Sequence, residues 1–157
     1  MAELGPRSTL SRLLVVLSVL AVLVHLFGLY RPTGPPSPAW FPRADKVEHL
    51  VGFGAPVCLL LLARLSRRTG TGPAGVARND PAAAPRRDRF PRWVVGIFAG
   101  HAVVSELVQH SFYRHRTGDP VDALADLAGV TLGWWVARLL ARRVLPSGLP
   151  DPDAVPA

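Results

Sequence analysis

Residues 13–30 read LLVVLSVLAVLVHLFGLY, an apolar run of 18 residues that carries no formal charge. A helix needs about 20 mostly apolar residues to cross the hydrocarbon core of a bilayer. The run is longer than the apolar part of a secretory signal peptide, which is about 7–15 residues, and no small-residue cleavage site follows it. The stretch is therefore predicted to be a membrane-spanning helix that remains in the chain.

Three further segments are long enough to span a membrane, namely residues 47–65, 92–113 and 121–140. The 157-residue chain is 49% hydrophobic and has a mean hydropathy of +0.25. Its apolar residues come in blocks and not in the narrow stripes of a soluble amphipathic helix. We expect an all-α, integral membrane bundle of four transmembrane helices and disfavour a soluble helical bundle.

Composition divides the chain further. Residues 1–12 are predicted to be a cytoplasmic lead, residues 13–142 the four-helix membrane domain, and residues 143–157 a disordered tail. Within the domain, residues 66–91 are rich in Arg, Gly, Ala and Pro and are predicted to be a disordered cytoplasmic loop. The single cysteine, Cys58, lies inside the second span and has no partner for an internal disulfide.

The distribution of basic residues predicts the orientation. With both termini inside, thirteen of the eighteen Lys and Arg residues fall in cytoplasmic segments and five fall outside. This asymmetry is what the positive-inside rule requires, so we expect an N-in and C-in topology. The net charge of +7 does not indicate nucleic-acid binding, because no platform of aromatic residues accompanies the arginines.

Polar residues gather near the predicted outer ends of the last three spans. An ionisable group inside a bilayer costs about 2.5–3.5 kcal/mol at the centre, so it must face a partner, water or the bundle interior. We therefore expect an outward-facing polar pocket and no lipid-facing charges. Its predicted binding residues are Asp45, Lys46, His49, Glu106, Gln109, Arg116, Asp119, Asp122 and Asp126.

Local chemistry supports the hairpin formed by the last two spans. Asp119 is a good N-cap residue, and Pro120 after it suits the first turn of a helix. Gly129 and Gly133 share a helix face and allow a neighbouring helix to come close. Arg116 in the turn has two interpretations that stay open, an ion-pair clamp for the acids and a binding group for a phosphate or carboxylate.

Two motifs carry a resemblance to a known family. The first is D-K-x-x-H before an apolar helix, at residues 45–49, and the second is S-E-x-x-Q at residues 105–109, followed by Arg116, D-x-x-D at residues 119–122 and the two glycines of the last span. Together they resemble the VanZ-like family of small bacterial membrane proteins over roughly residues 10–142. The family often has Asn at the position of Asp126, and its turn is one residue shorter near His115.

The resemblance implies a multi-pass protein of the bacterial plasma membrane and cell envelope, linked to teicoplanin (glycopeptide) resistance. The expected function is binding of a lipid-linked or glycopeptide-type polar group in the outer pocket, with effects on glycopeptide sensitivity. Two alternatives stay open: a membrane-embedded hydrolase or transferase acting on a lipid or cell-wall precursor, with Glu106 and His49 as acid and base, and a structural subunit.

The expected partners are the lipid bilayer and a lipid-linked or cell-wall small molecule. No cofactor is expected, and no metal site is assigned, because no H-E-x-x-H or other strong metal-ligand spacing occurs. A divalent cation bound by the oxygens of Glu106 with Asp122 or Asp126 stays a less favoured alternative. No nucleophile motif such as G-x-S-x-G occurs, so the sequence leaves open whether the protein is an enzyme.

The predicted topology has a direct test. A cysteine introduced at Gly75 should resist a membrane-impermeant thiol reagent in intact cells, whereas one introduced at Ser37 should react, because the basic residues place residues 66–91 inside. The parent chain, with Cys58 alone, serves as the control. Labelling at Gly75 without labelling at Ser37 would reverse the orientation and place the polar pocket on the cytoplasmic side.

Overall fold

The computed structural model describes residues 6–31, 41–70, 88–112 and 119–144. Within these ranges the chain forms four α-helices: α1 (Pro6–Tyr30), α2 (Ala44–Gly70), α3 (Phe90–Phe112) and α4 (Pro120–Val144). The all-helical prediction is confirmed. Helix α2 runs through residues 66–70, which had been assigned to the loop, and α4 reaches two residues into the predicted tail; the remainder of both segments lies outside the described residues.

Three of these helices are long and apolar enough to cross a membrane, over Thr9–Tyr30, Ala44–Arg67 and Pro120–Arg143. Helix α3 does not reach the same hydropathy, because His101, Glu106, Gln109 and His110 interrupt its apolar sequence. The character of a membrane protein is thus supported in three helices. The fourth span and the orientation stay predictions.

Helix α2 is central in the bundle. It packs most extensively against α4, then against α1, and it also contacts α3, while α3 and α4 contact each other. The core between the helices is apolar, with Phe53 and Val57 of α2 fully buried. Phe98 of α3 meets the Phe53 ring edge-on at a centroid distance of 6.3 Å. These contacts stack α2 between α1 and α4.

Glycines let α2 and α4 approach at the level of their backbones. A methyl group at Gly129 would overlap the carbonyl oxygen of Leu50, and one at Gly133 would overlap that of Gly54. A methyl group at Gly54 would in turn lie 2.9 Å from the Gly129 oxygen. The prediction that Gly129 and Gly133 admit a neighbouring helix is confirmed, and the neighbour is α2.

The start of α4 is capped as predicted. The Asp119 side chain accepts a hydrogen bond from the backbone N–H of Val121 at 2.9 Å, and its carbonyl oxygen accepts one from the Asp122 N–H at 2.9 Å. Pro120 takes the first helical position, where its missing N–H leaves no hydrogen bond unmade. The cap fixes where α4 begins and so the depth of Asp122 and Asp126.

Several ionisable side chains are buried beside the apolar core, while large apolar side chains are exposed, which is unusual for a soluble protein. Phe27 and Phe112 are 73% and 79% exposed, whereas Glu106 and Asp126 are 8% and 0% exposed. Large apolar groups are also exposed along α1, α3 and α4. A contiguous apolar exterior of this extent requires an apolar surrounding, and a bilayer provides one.

The α2–α4 contact predicts a position-specific effect of a single methyl group. Gly129→Ala should lower the free energy of unfolding by about 1–3 kcal/mol, because the added methyl cannot fit against the α2 backbone. Gly100→Ala is the matched control: nothing lies within 4 Å of its added methyl, so this change should be neutral or stabilising by up to about 1 kcal/mol. Equal thermal unfolding midpoints of the two detergent-solubilised variants would contradict the packing described.

Candidate functional site

The candidate site lies where the start of α2, the end of α3 and the start of α4 meet. The short distance between the α2 and α4 backbones lets side chains from positions 45–49 reach those at positions 119–126. The first turns of α2 and α4 carry the carboxylates Asp45 and Asp122. Acidic groups are favourable near helix N-termini, where backbone N–H groups point outward.

Lys46 is the cation that joins the two helix starts. Its Nζ lies 2.7 Å from Asp119 Oδ2, 2.5 Å from Asp122 Oδ1 and 3.2 Å from Asp45 Oδ2. The Lys46 side chain is 24% exposed, so these charge-assisted hydrogen bonds are only partly shielded from solvent. Lys46 therefore has the role that the sequence suggested for Arg116, that of a cation shared by several acids.

Asp119 connects this ion-pair network to α3. Its backbone N–H donates to Glu106 Oε2 at 2.9 Å, while its carboxylate accepts from Lys46 and from the backbone of Val121. The hydrogen bond from Lys46, joined by the one from Val121, holds the pKa of the Asp119 carboxyl below its ordinary value. Asp119 therefore stays ionised as the pH falls, and its share of the stability is lost only as the pH falls through that lowered pKa.

His49 and Asp126 form the buried part of the site. His49 Nδ1 lies 2.8 Å from Asp126 Oδ1, and both side chains are nearly inaccessible, at 8% and 0% exposed. His49 Nε2 faces Asp122 Oδ2 at 3.9 Å. The imidazole thus stands between two carboxylates of α4, one buried and one held by Lys46.

Glu106 completes the buried part from α3. One potential ligand or proton-transfer atom from each of His49, Glu106 and Asp126 lies within 4.8 Å of the other two. Glu106 Oε1 and Asp126 Oδ2 are both buried, and neither has a hydrogen-bond partner among the described residues. Buried polar atoms without a partner are uncommon in native proteins and are frequent where a ligand or ion binds.

The predicted site residues divide accordingly. Lys46, Asp45, Asp119 and Asp122 form the outer, partly exposed ion-pair network, and His49, Glu106 and Asp126 form the buried triad. The convergence of His49 and Glu106 on one space, predicted from their positions, is confirmed.

Two predicted residues have a different outcome. The Gln109 amide is buried, but it donates to the carbonyl oxygen of Leu29 at 3.2 Å and so ties α3 to α1. Its described hydrogen bond makes it a structural link between helices. Arg116 lies outside the described residues, so its two interpretations stay predictions.

An ion pair that the sequence did not indicate lies beside His49. Arg31 Nη2 is 3.1 Å from Glu48 Oε2, and these residues follow α1 and begin α2. Arg31 Nε is buried without a hydrogen-bond partner in the described part of the chain. The sequence signal for this ion pair was that Arg31 directly follows the first span and that Glu48 lies near the start of the next one.

His25 of α1 lies in a cluster of rings. Its ring centroid is 4.4 Å from that of Phe53 and 5.5 Å from that of His101, both edge-on. His25 is 6% exposed. His25 and His101 therefore pack against rings between the helices, while Nε2 of each is buried without a hydrogen-bond partner among the described residues.

A cavity of about 920 Å³ is lined mainly by residues of α1 and α2. Most of its lining is aliphatic or aromatic, and exposed residues of α1 such as Val24 and Phe27 form its rim. Arg31, Glu48 and His49 form its polar end. Because His49 also binds Asp126, this one side chain connects the cavity to the buried triad.

Comparison with known protein families, with functionally characterised proteins and with solved structures finds no match to this chain. The chemistry of the site therefore has to be inferred from its own geometry. An imidazole beside two carboxylates can transfer protons, hold a cation or hydrogen-bond a polar ligand.

The Lys46 network predicts coupling between two positions on different helices. Lys46→Met should cost about 1–3 kcal/mol of unfolding free energy, because it removes charge-assisted hydrogen bonds to Asp119 and Asp122. Asp122→Asn should then cost less in the Lys46→Met background than in the wild type, because its charge has already lost its partner. Chemical or thermal unfolding of the four chains in detergent measures this coupling, and strictly additive effects would contradict it.

Proposed function

We propose that this chain is a four-span membrane protein, N-in and C-in, that binds an amphipathic lipid with an anionic headgroup. The observation that carries the proposal is the cavity between α1 and α2, whose lining is mostly apolar, with His25 part-way along it and Arg31, Glu48 and His49 at one end. Its volume of about 920 Å³ falls within the range of about 300–1,000 Å³ typical of ligand sites.

The apolar part of the cavity suits a lipid chain. Leu20, Val24 and Phe27 on α1 are 51%, 70% and 73% exposed, so the cavity is open to its surroundings along that helix. In a bilayer those surroundings are acyl chains, from which a lipid tail can enter sideways without crossing water. Both α1 and α2 are among the helices that are long and apolar enough to span.

The polar end suits a phosphate or carboxylate. Arg31 binds Glu48 through Nη2, while its Nε has no hydrogen-bond partner among the described residues. A planar guanidinium offers several donors that match the oxygens of such groups. His49 adds an imidazole at the same end. A lipid-linked headgroup would thus meet Arg31 at the polar end of the cavity.

The resemblance to the VanZ-like family suggests a cellular role for this lipid binding. As a member of that family, the chain would lie in the bacterial plasma membrane with the polar site at its outer face. A lipid-linked cell-wall precursor there has an apolar tail and an anionic headgroup, as the cavity requires. Its sequestration or positioning would alter sensitivity to teicoplanin.

A second candidate is a membrane-embedded hydrolase or transferase. The observation that favours it is the 2.8 Å contact between His49 Nδ1 and Asp126 Oδ1 beside Glu106, at the end of the cavity. An imidazole oriented by a buried carboxylate can act as a general base, and a second carboxyl can act as an acid. Turnover of a lipid-linked phosphate substrate by the purified protein, lost in Glu106→Gln, distinguishes this candidate from binding alone.

Filling the cavity tests the lipid proposal. Gly28→Leu should reduce the lipid retained after mild detergent purification by at least about tenfold, equivalent to about 1.4 kcal/mol, because Gly28 lines the cavity and has free space around it. Gly100→Leu on α3 is the matched control, since its surroundings are equally open but it does not line the cavity. Native mass spectrometry of the three chains measures retained lipid.

The same chains expressed at equal membrane abundance in a teicoplanin-sensitive bacterium connect binding to phenotype. Wild type and Gly100→Leu should shift teicoplanin susceptibility, whereas Gly28→Leu and Glu106→Gln should not. If Gly28→Leu and Gly100→Leu retained the same amount of lipid, the cavity would not be the lipid-binding site. If Gly28→Leu lost lipid but no chain shifted teicoplanin susceptibility, the function would be limited to lipid binding.

A further inference from the structure

Two acids in the buried triad lack a described cation. In the outer network, Lys46 neutralises part of the charge of Asp45, Asp119 and Asp122. Within the described residues, neither Glu106 nor Asp126 forms an ion pair with a Lys or Arg.

Their described partners are a backbone N–H for Glu106 and the His49 imidazole for Asp126. Ionised carboxylates in such a place are costly unless a cation or proton compensates them.

Two carboxyl oxygens of the triad also lack a hydrogen-bond donor among the described residues. Asp126 is fully buried and Glu106 is 8% exposed, yet Oδ2 of the first and Oε1 of the second have no hydrogen-bond partner in the described part of the chain. These are two independent oxygen lone-pair donors at one place. Together with the lack of a described Lys or Arg partner for either acid, they indicate a place for a positive ligand.

We propose that His49, Glu106 and Asp126 bind one divalent transition-metal ion of the zinc or manganese class. One ligand atom from each residue lies within 4.8 Å of the other two. Around an ion with bond lengths of about 2.0–2.2 Å, tetrahedral ligand atoms stand about 3.3–3.6 Å apart. Binding would therefore require side-chain rotations that open the 2.8 Å contact between His49 and Asp126 and bring the three ligand atoms to that spacing.

The mixed ligand set favours this class of ion. Imidazole nitrogen is typical of zinc and other transition-metal sites, whereas calcium and magnesium prefer oxygen ligands alone. With Nδ1 as the ligand atom, His49 would direct Nε2 towards Asp122 Oδ2, which is now 3.9 Å away and held by Lys46. A carboxylate that receives the second ring N–H is the usual support of a metal-bound histidine.

Three protein ligands leave a coordination position open. In a four-coordinate site that position takes water or a ligand oxygen, as in catalytic zinc sites. His49 lines the polar end of the cavity between α1 and α2, so the open position would adjoin that space. The metal proposal stands independently of lipid binding, because its ligands and charges belong to the triad itself.

Metal binding can be measured directly on the full-length, detergent-purified chain. After removal of metals with a chelator and reloading with zinc or manganese chloride, elemental mass spectrometry should find about one ion per wild-type chain. Glu106→Gln and Asp126→Asn, which keep shape and remove a charge, should each weaken binding by at least about 100-fold. Cobalt substitution should give a visible absorption band in the wild type that both variants lack.

His110→Gln is the matched control, since it alters an exposed imidazole on the same helix as Glu106. It should bind metal as the wild type does, and helical circular dichroism should be the same for all chains.

If the wild type binds no ion, the proposal is wrong. A proton or the charge of Arg116 would then have to neutralise the acids of the triad. Equal binding by Asp126→Asn, Glu106→Gln and the wild type also overturns it, whereas lipid retention, measured in the same samples, reports on the lipid proposal separately.

Discussion

The backbone contact between α2 and α4 is the constraint on which the rest of the structure depends. Gly54, Gly129 and Gly133 carry no side chain at the crossing, so the two helices meet at their carbonyl oxygens. Only at that separation can Lys46 reach the cap of α4 and His49 reach Asp126, 77 positions later in the chain. With bulkier residues at the crossing, each acid would lie in an apolar environment without its partner.

The distribution of polarity follows from the same packing. Side chains that can ionise or hydrogen-bond, including His25, Glu106 and Gln109, lie between the helices, and large apolar side chains cover the outside. In water such an exterior would drive association, whereas in a bilayer it costs nothing and the buried polar groups provide specific contacts between helices. The hydrogen bond from Gln109 to the Leu29 carbonyl shows this, because it joins α3 to α1 beside the ring contact between His25 and His101.

The site has two layers with different chemistry. The outer layer is an ion-pair network around Lys46, partly open to solvent, that fixes the starts of α2 and α4. The inner layer is the triad of His49, Glu106 and Asp126, where two carboxyl groups are buried and one oxygen of each has no hydrogen-bond partner among the described residues. His49 belongs to the inner layer and to the wall of the cavity, so a ligand in the cavity and a group bound by the triad would meet at this side chain.

The sequence by itself determined the helices, the cap at Asp119 and the close approach at Gly129 and Gly133, because hydropathy, capping and residue size act locally along the chain. It also indicated that Glu106, His49 and Asp126 lie close together, since the cost of burying a charge restricts where an acid can point. It did not show that Lys46 is shared by three acids, or that Gln109 binds α1. Those choices, and the cavity beside Arg31, depend on how the helices rotate and cross, which only the tertiary packing decides.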